Sequence, residues 1–181
     1  MSIKVIGISG KAGSGKDYIS QNFLRPHGYF QWSFAWHFKN SIVGKGAATY
    51  EEVFHTKPPH IRKELQLEGT ERGRNIYGEN IWCETAKSWM LLLHEQWGIN
   101  KFVVADVRFP NEVEFIKTMG GNVLRINAPI RIERNTLSAE ARLHVSETAL
   151  DDYANFDYIL DNDPEHANVI HAEVQRIIHT T

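Results

Sequence analysis

Lys16 closes the run Gly10-Lys11-Ala12-Gly13-Ser14-Gly15-Lys16, and Asp17 follows it. Glycines at this spacing let a backbone curl until successive N–H groups point at one anion. A helix beginning at the end of the run adds its positive dipole end. The lysine then reaches the β- and γ-phosphates of a bound nucleotide as a point charge. The pattern G-x-x-x-x-G-K is met in full, but the serine or threonine that usually ends it is here Asp17.

Three further groups of residues carry chemistry that a phosphate loop would use. Asp106 and Arg108 stand at the end of an apolar run, with Glu112 beyond them. A carboxylate at the C-terminal end of a buried parallel strand faces the crevice where α/β sheets bind ligands. There it can hold magnesium through water while Arg108 grips a phosphate. Arg131, Arg134 and Arg142 form an arginine-rich stretch, placed where a lid closing over a transferred phosphoryl group would lie. Lys39, Arg62, Arg72, Arg74 and Trp82 supply cations and one aromatic face, the equipment for a second, nucleotide-shaped ligand.

The elements around these residues read as alternating strands and helices. Ile3–Ser9 is a strand, the segment from Asp17 to Leu24 a helix, and Tyr29–Phe34 an aromatic second strand. Ala35–Ile42 is expected to be helical, 43–57 irregular, and Pro58-Pro59 to open a helix reaching about Leu67. Gly69 to Asn80 is expected to be broken by its glycines. Asn80 is a plausible N-cap, and Gly98 a C-terminal stop, for a helix from Ile81 to Gln96. The core stripe of that helix is expected at Ile81, Trp82, Thr85, Trp89, Leu92, Leu93 and Gln96. Lys101–Asp106 suits a strand buried on both faces, Pro110 starts a helix, and Asn122–Asn127 is a fourth strand. A short helix from Ser146, a fifth strand at Tyr158–Asp161 and a final helix capped by Asp163-Pro164 complete the chain. The pattern predicts an α/β three-layer domain with a mainly parallel five-stranded sheet, residues 1–181 forming one domain. Residues 35–98 and 128–147 read as excursions from that sheet, the first toward an acceptor and the second as the lid.

Composition narrows the partners. A net charge of −2 gives no global field for nucleic acid or an anionic membrane, so any polyanion site must be built locally. Cys83 is the single cysteine, which excludes a disulfide framework, and it reads as packed. No apolar run approaches membrane-span length and the N-terminus lacks a signal-peptide layout, so a cytoplasmic protein is expected. Nine histidines form no metal-ligand spacing; His166, His171 and His179 share no helix face well and read as structural or solvated.

At this level of detail the chain resembles the deoxynucleoside monophosphate kinases of bacteriophages. The resemblance runs through Ser9-Gly10 to Lys16-Asp17, Ser33-Phe34-Ala35 with Lys39, and Leu65-Gln66 to Gly69-Thr70-Glu71. Trp82 follows at the family's distance. Asp106-x-Arg108 with Glu112, Met119-Gly120-Gly121-Asn122-Val123, His144-x-Ser146-Glu147 and Ile159–Asp163 complete it, in the family's order. The resemblance implies a P-loop nucleoside monophosphate kinase fold, ATP as donor, magnesium, and a deoxynucleoside 5′-monophosphate as acceptor. It also implies that aspartate at position 17 is a family trait, whereas the threonine the family places next is Tyr18 here. On this reading Gly10 to Tyr18 bind ATP, and Asp17 and Asp106 orient magnesium. Lys16, Asp106, Arg108, Arg131 and Arg134 carry the transfer. Lys39, Arg62, Arg74, Trp82, Arg108, Glu112 and Arg142 hold the acceptor. A kinase of another phosphorylated acceptor, such as dephospho-coenzyme A, is the alternative within the fold. A nucleotide-driven switch or motor subunit is the alternative outside it. Neither nucleic acid nor membrane is expected as a partner, and a homodimer is left open.

Overall fold

The computed structural model describes residues 3–134 and 138–180; Asn135, Thr136 and Leu137 of the expected lid lie outside the described residues. Strands β1 (Lys4–Ser9), β2 (Phe30–Trp32), β3 (Lys101–Val107), β4 (Asn122–Asn127) and β5 (Tyr158–Asp161) form one sheet in the order β2-β3-β1-β4-β5. Each neighbouring pair is parallel. Helix α1 (Lys16–Ile19) continues through a wide π turn, Ser20–Leu24. Between β2 and β3 run α2 (Trp36–Gly44), a π turn at Glu52–Thr56, α3 (Pro59–Gln66), a π-helical stretch at Leu67–Arg74, α4 (Asn75–Tyr77) and α5 (Ile81–Trp97). Helix α6 (Pro110–Thr118) joins β3 to β4. Helices α7 (Pro129–Glu133), α8 (Ala139–Leu143) and α9 (Val145–Thr148) precede β5, and α10 (Ala167–Thr180) follows it.

Strand side chains alternate between two faces, and the two cores divide accordingly. Val5, Phe102, Val104 and Val123 pack with Cys83, Ala86 and Met90 of α5 and Val113 and Ile116 of α6. Ile6, Ile8, Val103, Leu124 and Ile126 pack with Ile19, Leu24 and the α10 residues Ile170, Val174 and Ile177. Those are the three layers. A small third core of Ile42, Val53 and Ile61 lies under the excursion between β2 and β3.

One irregularity bears on chemistry. Gly7 pairs with Val104 but Ser9 pairs with Val107, so β3 carries one extra residue across this step. Val107 thereby joins the face of Phe102 and Val104, and the bulge holds Asp106 between them in sequence but out of the regular alternation.

Several expectations need correction. The second strand stops at Trp32 because Ser33, Phe34 and Ala35 turn to bind the Asp106 carboxylate. The stretch after Gly69 is not broken: helix runs from Leu67 to Tyr77. A Cβ on Gly73 would come 2.3 Å from Cζ2 of Trp82, and one on Gly69 would press on Phe38 at 3.2 Å. These glycines permit close packing and do not end the helix. On α5 the buried residues are Trp82, Cys83, Ala86 and Met90, whereas Trp89 and Leu92 are each 41% exposed. The stripe is turned toward Cys83, and Trp89 only leans on Trp32 at 6.0 Å. Asn80 caps α5 by position alone; its side-chain oxygen accepts from Asn111 Nδ2 at 2.9 Å. Asp163 caps α7, accepting from Ile130 N and Arg131 N, while α10 begins beyond a single 3₁₀ turn. Gly98, at φ 68, ends α5 as expected.

Candidate active site

The phosphate loop leaves the C-terminal end of β1, the middle strand, beside the ends of β3 and β4. A cleft of about 540 Å³ opens there. Gly10, Gly13 and Gly15 adopt φ values of 153, 87 and 91, which side chains disfavour. Ser14 N donates to Lys11 O at 3.1 Å, closing the turn, and Ile19 N donates to Gly15 O at 3.0 Å, starting the helix. Asn162, just past β5, braces the loop from beneath by donating from Nδ2 to Ser14 O at 2.8 Å. A Cβ on Gly15 would lie 2.3 Å from that nitrogen. Gly15→Ala should therefore displace Asn162 and strain the backbone by about 1–3 kcal/mol. The expected result is a lower unfolding midpoint with ATP binding weakened at least as much; an unchanged ATP titration would show that the brace is dispensable.

Lys16 is 8% exposed, and its Nζ donates to the Lys11 carbonyl at 2.8 Å. Burial, with the Arg108 guanidinium nearby, brings its ammonium down to about 8. Bound phosphate oxygens would favour the protonated form, so nucleotide binding must take up a proton above that pH. ATP affinity is accordingly expected to fall by up to about tenfold per pH unit above about pH 8. Calorimetry in buffers of different ionisation enthalpy would read the proton uptake directly.

Asp106 lines the cleft, and its carboxylate accepts from Ser33 Oγ at 2.7 Å, Phe34 N at 3.0 Å and Ala35 N at 3.1 Å. Its first task is to fix the entry to α2. Arg108 donates to Ser146 O at 3.0 Å and pairs with Glu147. The other Glu147 oxygen accepts from Ala12 N at 3.2 Å, and Lys11 Nζ donates to the Glu147 carbonyl at 2.6 Å and pairs with Asp151 at 2.5 Å. Helix α9 is thus tied to both the phosphate loop and Arg108. Burial alone would raise the Glu147 carboxyl, but the Arg108 guanidinium holds it below the usual carboxylate range.

Arg74 and Glu112 form a buried pair at 2.6 Å. The Arg74 guanidinium also donates to Asn111 Oδ1 at 3.0 Å and lies 3.7 Å from the Phe109 ring centroid. Its Nε has no partner. Glu112 accepts from Arg108 N at 2.6 Å and Phe109 N at 3.1 Å, so it caps α6 while facing Arg74. Burial pushes its carboxyl up to about 7 against the pull of Arg74. Trp82 is 8% exposed, donates from Nε1 to Gly69 O at 2.7 Å and packs on Phe38 with centroids 5.0 Å apart. It borders the cleft chiefly as the support of the π stretch. Cys83 is buried, and burial together with Glu112 pushes its thiol up to about 12, too high for a nucleophile.

Among the expected site residues, Ala12, Gly13, Lys16, Asp17, Lys39, Arg62, Arg74, Trp82, Asp106, Arg108 and Glu112 line one cleft. Gly10, Lys11, Ser14 and Gly15 shape the loop behind that lining, and the lid arginines and Tyr18 do not line it. Arg131 Nε donates to Asn162 O at 2.5 Å, Arg134 is exposed at the end of α7, and Arg142 lies half-buried in α8. Tyr18 is 60% exposed and meets Phe23 edge-on at 5.7 Å. Arg72 is drawn off by Glu64 and Glu68. Glu147, Asn162 and Lys57 were absent from the expected site; only the H-x-S-E and I-L-D-N-D blocks pointed toward the first two. No group of three or more metal-ligating side chains occurs among the described residues. His171 stacks on Phe23, His179 bonds the Gln175 carbonyl, and the His166 side chain lies outside the described set. No described helix is long and apolar enough to cross a membrane.

The fold matches that of P-loop kinases, with the glycine-rich loop at the sheet's central switch point. Solved structures share it. A Thermus thermophilus protein covers 100% of both chains at 15% identity and a TM-score of 0.62. The dephospho-CoA kinase of Campylobacter jejuni covers 98% of this chain and 96% of its own, at 19% identity and a TM-score of 0.54. By sequence the chain is similar to an Acanthamoeba polyphaga mimivirus protein named "Putative deoxynucleotide monophosphate kinase", 27% identical over 176 residues, spanning 87% of this chain and 88% of that one. No family model matches.

Proposed function

We propose that this protein is a deoxynucleoside monophosphate kinase, moving the γ-phosphoryl group of ATP to a deoxynucleoside 5′-monophosphate. The observation that carries the reading is that the phosphate-loop residues Lys16 and Asp17 share one cleft with Lys39, Arg62, Arg74 and Arg108. A cleft for ATP alone has no use for so many cations beyond the loop. The similarity to the mimivirus protein supports the same acceptor class.

The acceptor phosphate is already anionic near neutral pH, its second pKa being roughly 6, so no general base is needed. Catalysis is positioning and charge neutralisation. The backbone from Gly10 to Lys16 cradles the donor phosphates, and Lys16 moves from the Lys11 carbonyl to them. Arg108, released from Glu147, and Arg74, through its unpartnered Nε, fix the acceptor. Arg131, Arg134 and Arg142 reach the transferred group only if the segment carrying them closes.

Asp17 and Asp106 fit a magnesium ion: both line the cleft with hard oxygen donors, and magnesium takes one or two carboxylates while keeping several waters. With three hydrogen bonds already on the Asp106 carboxylate, Asp17 is the freer of the two. Magnesium there would neutralise phosphate charge. Asp17→Ala should raise the magnesium concentration needed for half-maximal rate, and an unaltered magnesium dependence would contradict that role. The proposal as a whole is tested by offering ATP with a panel of deoxy- and ribonucleoside monophosphates and dephospho-coenzyme A, and identifying the phosphorylated product.

A further inference from the structure

We infer that Lys57 belongs to the acceptor site: with Lys39 and Arg62 it forms a cationic subsite for the dianion of a phosphate monoester. The inference rests on the kinase reading above and adds to it a residue that none of the resembling blocks contains. Lys57 has φ 45 and ψ 62, and it is the one non-glycine residue at positive φ among the described residues. It also precedes Pro58, which disfavours helical conformations in the residue before it. Glycine or asparagine would occupy this turn at lower cost. A strained backbone at the edge of a cleft is a reason to ask what the side chain does there.

What surrounds the side chain supplies the answer. The π turn Glu52–Thr56 ends at Lys57, whose N–H donates to Glu52 O at 2.9 Å. Val53 of the same turn is buried in the small third core, and Phe54 lies under the Lys39 ammonium at 5.5 Å. The turn therefore brings Lys57 into the cleft lining beside Lys39 and Arg62. Burial, and then the Lys57 ammonium, lower Lys39 to about 8. Asp106 and Asp17 pull on the Lys39 ammonium from across the cleft, but neither pairs with it, and the glutamates around the group are engaged elsewhere. Glu52 accepts from Thr49, Glu64 and Glu68 from Arg72, and Glu112 from Arg74. None of Lys39, Lys57 and Arg62 has a carboxylate partner within ion-pair distance among the described residues. Two half-buried ammonium groups and a guanidinium, none of them in a direct ion pair, suit an anionic ligand. A phosphate monoester, doubly charged above its second pKa of roughly 6, matches them in charge and in acceptor oxygens.

The test separates the side chain from the backbone. Lys57→Gly removes the ammonium and relieves the strain, whereas Lys57→Arg keeps a cation. For Lys57→Gly, the acceptor KM should rise by at least about tenfold, the loss of one charge-assisted contact. The KM for ATP should stay unchanged, with the unfolding midpoint equal or higher; Lys57→Arg should recover most of the acceptor affinity. An unchanged acceptor KM in Lys57→Gly, or a loss that tracks a lowered midpoint, would overturn the inference. A second measurement does not depend on the acceptor's identity. Inorganic phosphate should protect Lys57 and Lys39 of the wild-type protein from amine acylation, read by mass spectrometry. Protection without turnover of any deoxynucleoside monophosphate would remove the proposed acceptor class and leave the subsite standing. Turnover without protection, and without an effect of Lys57→Gly, would do the reverse.

Discussion

Lys16→Ala is expected to lower kcat by about 10²–10³-fold, the scale for removing one preorganised charge contact from a transition state. Lys16 is the buried cation of the loop, and its Nζ rests on the Lys11 carbonyl. That hydrogen bond is a parking place, since a carbonyl dipole meets an ammonium far less well than phosphate oxygens do. Alanine leaves the loop glycines and the Asn162 brace untouched, so the fold should survive. Because the ammonium is buried at the cost of solvation, its removal should leave the unfolding midpoint equal or higher. A variant with normal stability and near-normal kcat would show that the loop does not hold the transferring phosphate.

The second large effect concerns the Arg74–Glu112 pair. Removing one member of a buried pair strands the other, at about 3–5 kcal/mol. Arg74→Met leaves the Glu112 carboxylate with only the N–H groups of Arg108 and Phe109, and leaves Asn111 without its guanidinium. Glu112→Gln keeps the shape and, with its amide oxygen in the place of Oε2, can still accept from both N–H groups, so it should cost less. The double variant should cost less than the sum of the singles, because no lone buried charge remains. Urea unfolding of the three variants measures this coupling; strict additivity would mean that the two residues do not act as a pair. Since Glu112 caps α6 beside Arg108, Arg74→Met should also raise the acceptor KM.

How much of this was legible in the sequence depended on how local each cause was. The phosphate loop, the fourth strand Asn122–Asn127, the fifth strand Tyr158–Asp161 and the stop at Gly98 follow from neighbouring residues, and the structure places them as read. Gly69 and Gly73 looked like breaks because a glycine's own preference is to loosen a helix. Their reason is Phe38 and Trp82, brought from other segments, and spacing along the chain does not reveal it. Trp89 fitted a helical stripe by period, but the bulk of Trp82 and Met90 against the sheet set the rotation of α5. The same limit applied to the site. Glu147 reaches Ala12 across 135 residues of sequence, and Asn162 reaches Ser14 across 148. The position of Asp106 at a strand end points to magnesium and gives no hint that the carboxylate also anchors Ser33–Ala35. Lys57 carried no motif at all, and only its backbone angle singles it out.

The central claim is that one cleft holds a nucleotide donor and a phosphorylated acceptor together. It is tested most directly by single turnover with γ-labelled ATP in the presence of a deoxynucleoside monophosphate. The account predicts that the label appears in the deoxynucleoside diphosphate, with little free phosphate. Label released to water at the same rate with or without the acceptor would contradict it.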